Sequence, residues 1–332
     1  MSAFIKAISY YLPDRVVSNQ DLVKEFPEWS VEKIAKKIGV NSRHVVDDGQ
    51  CASDLAEQAA RRLFEEYKID RSCIDFVMLC TQSPDFFLPT TACLLQERLG
   101  LSVHCGALDY NLGCSGFVYG LALSKGLIES GIAKNVLLIT AETYSKHIHE
   151  RDKGNRTIFG DAAAATLVST EGFAQIGNFE LGTDGKGAGN LMVKSGAMRH
   201  PDKYEDLVVD KSGNPISSDH LFMNGSEIFN FTLETVPDLV ENVIQKNVIK
   251  AEEVDLYVFH QANKYMLSCL FGLMGIEEKK GFVYMSEVGN TVSSTIPIAL
   301  YEANKDNRLK GNVVIAGFGV GYSWGGCVLK CR

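Results

Sequence analysis

Two stretches of this 332-residue chain repeat two others, and that repeat limits the fold more than any other feature. "IDFVMLCTQ" resembles "VDLYVFHQ", matching Asp75 with Asp255 at a separation of 180 residues. "GIAKNVLLITAETYS" resembles "RLKGNVVIAGFGVGYS", matching Asn135 with Asn312 at a separation of 177. One such match is what chance likeness between apolar strands produces. Two in the same order, at nearly the same separation, point to a duplicated α/β unit.

The repeated segments belong to a set of continuous apolar runs of the kind found in strands buried on both faces of layered α/β proteins. The runs are Ile74 to Thr81, Gly106 to Leu112, Asn135 to Glu142, Ala162 to Ser169, Val254 to Gln261 and Asn312 to Gly319, with helical patterns between most of them. In a duplicated unit, polar residues at matched strand ends meet near the centre, where open α/β architectures place their active sites. Three residues stand in such positions: Cys114 after a first-half strand, His260 at the end of "VDLYVFHQAN", and Asn290 in "SEVGNTVSSTIP".

Composition narrows the function classes. A net charge of -8 and a pI near 5.5 argue against a nucleic-acid-binding protein. No run approaches the ~20 apolar residues that span a bilayer, and "MSAFIKAISYYLPDRVV" lacks a signal-peptide pattern, so the expected location is cytoplasmic, without membrane attachment. The nine cysteines are scattered and contain no CxxC pair, which is neither a disulfide framework nor a zinc site. His147 and His149 form an HxH with no third ligand at a recognisable spacing, so a surface loop is expected and no metal.

A buried cysteine is commonly an inert small hydrophobe, and a strand-end histidine is commonly a structural hydrogen bonder. The combination is more informative. Ser115 onward reads as a helix whose N-terminus lowers the pKa of the adjacent Cys114 thiol, with Gly116, Gly120, Ala122 and Ser124 allowing close packing and Gly131 capping its end. A histidine and an asparagine nearby supply hydrogen bonds to an oxyanion on a thioester carbonyl or enolate, chemistry suited to acyl transfer with carbon–carbon bond formation.

With these residues in place, "DYNLGCSGFVYGL", "VFHQAN", "VGNTVSSTIP" and "GFGVGYSWG" resemble the signature segments of β-ketoacyl-acyl carrier protein synthase III, a condensing enzyme of the thiolase superfamily. The likeness runs from "ISYYLPDRVVSNQDL" through "RTIFGDAAAATLV" and "MNGSEIFNF" over nearly the whole chain. It implies a thiolase-like α/β fold of two duplicated halves, residues 1–172 with the nucleophile and 173–332 with the His and Asn, in a five-layer αβαβα arrangement and usually a homodimer. The implied reaction is acyl transfer from an acyl-CoA to Cys114, then decarboxylative condensation with malonyl-acyl carrier protein. Coenzyme A enters as substrate, and no cofactor is implied.

The resemblance also implies roles residue by residue. His260 and Asn290 stabilise the enolate; the backbone N–H groups of Cys114 and Val320 form the oxyanion hole; Asn263 supports the site; and Phe318 walls the departing carboxylate. Trp29, Lys33, Lys153, Arg156 and Ser226 are the expected coenzyme A contacts, and Leu88, Phe159 and Leu221 the expected acyl-pocket residues. Leu88 stands where fatty-acid enzymes tend to carry an aromatic, on a segment expected to reach into a partner subunit, and its smaller side chain suits a longer or branched acyl group. Thiolases and hydroxymethylglutaryl-type synthases fit less well: the "GFGVGYSWGG" loop has no second cysteine before Cys327, and Gln82 stands where the latter carry a glutamate base. Two other readings are a non-decarboxylating acyltransferase on the same fold, favoured by a helix after "HQAN" with few basic residues, and a non-catalytic binding homologue.

Overall fold

The structure, a computed structural model, describes residues 1–210 and 213–332. The main sheet contains β1 (Phe4–Tyr11), β2 (Phe76–Cys80), β3 (Gly106–Tyr110), β4 (Asn135–Glu142), β5 (Ala162–Ser169), β6 (Ala174–Thr183), β7 (Val254–Phe259), β8 (Gly311–Gly319) and β9 (Ser323–Cys331). Their order across it is β7-β8-β9-β6-β1-β5-β4-β2-β3. The helices are α1 (Asn19–Glu25), α2 (Val31–Ile38), α3 (Ala52–Tyr67), α4 (Thr91–Arg98), α5 (Gly116–Glu129), α6 (Lys153–Ile158), α7 (Gly225–Lys246), α8 (Lys264–Leu273) and α9 (Thr295–Lys305).

The repeat read from the sequence is visible in the strand pairing. β2 runs parallel to β4 as β7 does to β8, and β5 runs antiparallel to β4 as β9 does to β8. The matched residues also bond alike. Asp75 Oδ2 accepts from the Asn135 N–H at 2.9 Å and Asp255 Oδ2 from the Asn312 N–H at 2.8 Å, while the Asn135 and Asn312 side chains each donate to a carbonyl at 3.0 Å, on Cys73 and Glu253. Among the described residues β3 has no full counterpart; a single parallel bridge between Tyr257 and Gly281 stands in its place. The family resemblance implies two sheets, and here they join edge to edge through the pairs Phe4–Gln175 and Ile5–Ala174.

Five layers follow from where the apolar faces go. α3 and α4 cover one outer face over Leu55, Leu63, Val77, Leu137 and Leu167. α7 and α8 cover the other over Val236, Leu239, Val240, Val314 and Val328. Between the two strand groups lie α5 and α9, whose Phe117, Leu121, Ile296 and Leu300 pack with Met78, Val258, Val313 and Ile315. A helix buried on both sides tolerates little bulk. A Cβ at Gly120 would stand 2.2 Å from the Tyr110 hydroxyl oxygen, so the small residues of "CSGFVYGLALS" are what let α5 enter the middle layer.

Three strands, β1, β6 and β9, are absent from the sequence-based set. β6 alternates between buried and partly exposed positions and β9 opens on "SWGG", so neither reads as a continuous apolar run. α5 starts at Gly116 with Ser115 as its cap, one residue later than expected. Among the described residues no helix is long and apolar enough to cross a membrane.

Candidate active site

Cys114 occupies the turn between β3 and α5, only 6% exposed. Two bonds pin that turn: Ser115 Oγ lies 2.7 Å from Ser323 Oγ, and the Tyr110 hydroxyl donates to Gly116 O at 2.8 Å. From the second half, the end of β8 presses against the thiol; a Cβ at Gly319 would stand 2.8 Å from the Cys114 sulfur, so only glycine fits there.

His260 follows β7, and its N–H continues the ladder by donating to Ala316 O at 2.8 Å. Its ring is held from one side by Thr295 Oγ1, 2.7 Å from Nδ1, and faced edge-on by Phe318 at a centroid distance of 5.9 Å. The Thr295 hydroxyl gives its one proton to Val292 O at 3.0 Å, so it accepts from Nδ1–H and leaves the lone pair on Nε2. Burial pushes the imidazole pKa down to about 3, leaving a neutral ring at physiological pH.

Asn290 is oriented at both ends. Its N–H donates to Ile158 O at 2.8 Å, its amide oxygen accepts from the Val292 N–H at 2.9 Å, and its Nδ2 donates to Ala262 O at 3.4 Å. Val292 adopts a φ of +55°, which β-branched residues rarely accept, and strain of that kind is held in place by surrounding structure at functional sites.

Cys114, His260 and Asn290 line one cleft of 640 Å³, with Asn263, Phe318, Phe159, Ser226 and Trp29 also in its wall. Asn263 caps α8, its side-chain oxygen accepting from the Met266 N–H at 2.9 Å. The Val320 N–H is directed at the Cys114 sulfur and favours its thiolate. Contrary to the expectation of a lowered thiol pKa, Cys114 is pushed up to about 12, because burial outweighs the backbone donors. The resting group is a thiol beside a neutral imidazole.

Other expected contacts separate into groups. Phe159 and Leu221 pack in the apolar cluster around Cys114. Lys33 stacks its ammonium over Trp29 at 5.3 Å outside the cleft wall; Lys37, one turn further along α2, lines it instead. Lys153 pairs with Glu28, and Arg156 pairs with Glu25 at 2.5 Å and borders a separate cavity beside Arg15 and Arg43. Leu88 is 80% exposed and outside the cleft wall of its own chain. His149 stacks edge-on with His220, His147 meets Gln82 O, and among the described residues no group of three or more ligand-type side chains gathers.

One buried acid escaped the sequence reading. Glu142 ends β4 and accepts from Gln82 N at 3.1 Å, Ser83 Oγ at 3.2 Å and Ser293 Oγ at 3.0 Å. Burial pushes its carboxyl up to about 8. The signal for it was there: one acidic residue closing the largely apolar run "NVLLITAE".

A buried thiol at a helix start, two oriented nitrogen-bearing side chains and a backbone N–H aimed at sulfur thus share one cleft of a thiolase-like fold. Residues 108–185 match the family described as 3-oxoacyl-[acyl-carrier-protein] synthase III, and residues 244–331 its C-terminal part. A β-ketoacyl-[acyl-carrier-protein] synthase III of Clostridium perfringens is 36% identical over 323 residues, covering 96% of each chain. A crystal structure of a 3-oxoacyl-(acyl-carrier-protein) synthase III superposes with a TM-score of 0.97 at 46% identity, covering 99% of this chain and 100% of that one. The enzyme from Pseudomonas aeruginosa gives 0.87 at 30% identity, covering 100% and 98%. The chain belongs to the 3-oxoacyl-[acyl-carrier-protein] synthase III family. It is a condensing acyltransferase of fatty-acid biosynthesis, joining an acyl thioester to malonyl-acyl carrier protein with loss of CO2.

Proposed function

We propose that Cys114 carries the acyl group and that His260 and Asn290 act chiefly on the malonyl half of the reaction. The observation that supports this most directly is the convergence of all three on one cleft, with Gly319 and the Val320 N–H against the sulfur. Cys114 sulfur attacks the acyl-CoA carbonyl; the new S–C bond replaces the coenzyme A C–S bond, the thiol proton passes to His260 Nε2, and coenzyme A leaves as thiolate, to be protonated by water. The Cys114 and Val320 N–H groups receive the oxyanion.

Malonyl-acyl carrier protein then loses CO2, and His260 Nε2–H, carrying the proton taken from Cys114, and Asn290 Nδ2 donate to the enolate oxygen. The apolar Phe318 face disfavours the charged carboxylate relative to neutral CO2. The enolate carbon attacks the acyl carbon, and Cys114 leaves as thiolate and takes its proton back from His260. These steps use only side chains and backbone amides of the chain, with no metal or organic cofactor. At the cleft mouth, Trp29, Lys37 and Ser226 hold coenzyme A, while Lys153 and Arg156 reach its phosphates only by giving up their glutamates. A homodimer in the cytoplasm, each protomer divided into halves 1–172 and 173–332, completes this reading. The exposed Phe86-Phe87-Leu88 stretch supports the dimer, since such apolar patches mark interaction sites.

Intact-mass measurement after incubation with acyl-CoA tests the assignment. An adduct on wild-type protein that is absent from Cys114→Ala supports it, and equal labelling of both overturns it.

A further inference from the structure

Three segments that shape the site meet at the carboxyl of Glu142, which is fully buried. From the end of β2, the Gln82 N–H and Ser83 Oγ donate to its Oε2 at 3.1 and 3.2 Å. From the turn after Asn290, Ser293 Oγ donates to its Oε1 at 3.0 Å. Gln82 carries the link on to the nucleophile's loop: its Nε2 donates to Asn111 Oδ1 at 3.1 Å, and its Oε1 stands 2.7 Å from where a Cβ of Gly113, the neighbour of Cys114, would be. The titratable groups that face the carboxyl are Cys80, Tyr110, Cys114, Tyr144 and Asp161, and none of them supplies a positive charge.

We propose that Glu142 is a positioning residue of the reaction: it ties the Cys114 loop to the Asn290 turn, and it serves acylation as the neutral acid. In that form one of the two serine hydroxyls turns to accept the acid's proton, and the rest of the frame is kept. Ionised, the group sets a negative charge in a buried region beside a sulfur that must itself become an anion during attack, and like charges there repel with little screening. That repulsion adds to the burial that holds the Cys114 thiol up, whereas burial alone lowers His260. With the Glu142 carboxyl pushed up to about 8, both forms are present at mildly alkaline pH. This role rests on the acyl-enzyme reading of Cys114 and adds to it a group that lies outside the cleft wall.

The test is the single-turnover rate of Cys114 acylation from pH 6 to 9.5, followed by intact mass with whichever of acetyl-, hexanoyl- and decanoyl-CoA labels wild type fastest. Glu142→Gln keeps the shape and stays neutral throughout. The ratio of its acylation rate to that of wild type should rise about tenfold across this range, as removal of one pKa unit of repulsion from the sulfur does. Glu142→Ala removes the frame, so at pH 6 its malonyl-dependent CO2 release should fall about tenfold, the effect of one lost hydrogen bond, and Glu142→Gln should recover most of it. Where the alanine variant fails to fold, Ser293→Ala breaks the bond to the Asn290 turn alone and should show the same loss. A Glu142→Gln profile parallel to wild type overturns the proposal, because a purely structural carboxyl would affect every pH equally. Unimpaired CO2 release by folded Glu142→Ala or Ser293→Ala overturns it too. Absence of any adduct on wild type, from every donor and at every pH, overturns instead the acyl-enzyme reading.

Discussion

Thr295 Oγ1 lies 2.7 Å from His260 Nδ1, so the first residue of α9 fixes the ring at the end of β7. Thr295 also donates to Val292 O at 3.0 Å, and the imidazole is thereby tied to the strained turn that carries Asn290. Replacing Thr295 by valine keeps the shape and removes the polar contact. Malonyl-dependent CO2 release should fall about tenfold, the worth of one hydrogen bond, and Thr295→Ser should restore it. A valine variant at the wild-type rate would show that the ring is positioned by packing alone.

Asn290 is held at both its amide oxygen and its backbone, so its alanine variant removes a preset donor. CO2 release should fall about 100-fold, typical of losing one oxyanion donor, while acylation of Cys114 falls less. Equal losses in the two half-reactions would place Asn290 in acylation as well.

Lys37 and Lys33 lie one turn apart on α2, and only Lys37 lines the cleft. Lys37→Ala should raise the KM for acyl-CoA about tenfold, as loss of one charge-assisted contact does, and leave the KM for acyl-pantetheine unchanged because that donor lacks the nucleotide phosphates. Lys33→Ala should have the smaller effect. The reverse ranking would return the contact to the residue over Trp29.

The buried Glu142 carboxyl has a folded-state pKa of about 8 against an ordinary value of 4.5. Its folded pKa is raised, so the stability it permits is fully present below pH 4.5 and is lost as pH rises through 8. Urea midpoints measured from pH 5 to 9 should fall more steeply for wild type than for Glu142→Gln. Parallel curves for the two proteins would mean that the carboxylate is fully compensated by Gln82, Ser83 and Ser293.

The repeat, the central helix and the three convergent residues were legible because each leaves a pattern in one stretch of chain: an apolar run, a string of small residues, a polar residue at a strand end. β6 and β9 were not, because a strand exposed on one face or opened by glycines has no continuous apolar signature. The thiol pKa was misjudged for a related reason. A helix start after Cys114 can be read from its neighbours, but the burial that outweighs it comes from Gly319, Tyr144 and Val292, which lie distant in sequence. Lys37 was missed because the turn of α2 that decides which lysine faces the cleft is a matter of helical phase.

The paired hydroxyls at the two central helices reach further than local packing. Ser115 of the first half bonds Ser323 of the second at 2.7 Å, and Ser294 of the second bonds Thr140 of the first at 2.8 Å. Each copy of the repeat therefore secures the other's helix start, and residues in such contact do not respond to change independently. A substitution on β9 bears on Cys114 through Ser115, and one on β4 bears on the Asn290 turn through Ser294. Under the roles proposed above, the attacking sulfur belongs to one copy and the charge-stabilising pair to the other, and neither helix start can be altered without touching its twin.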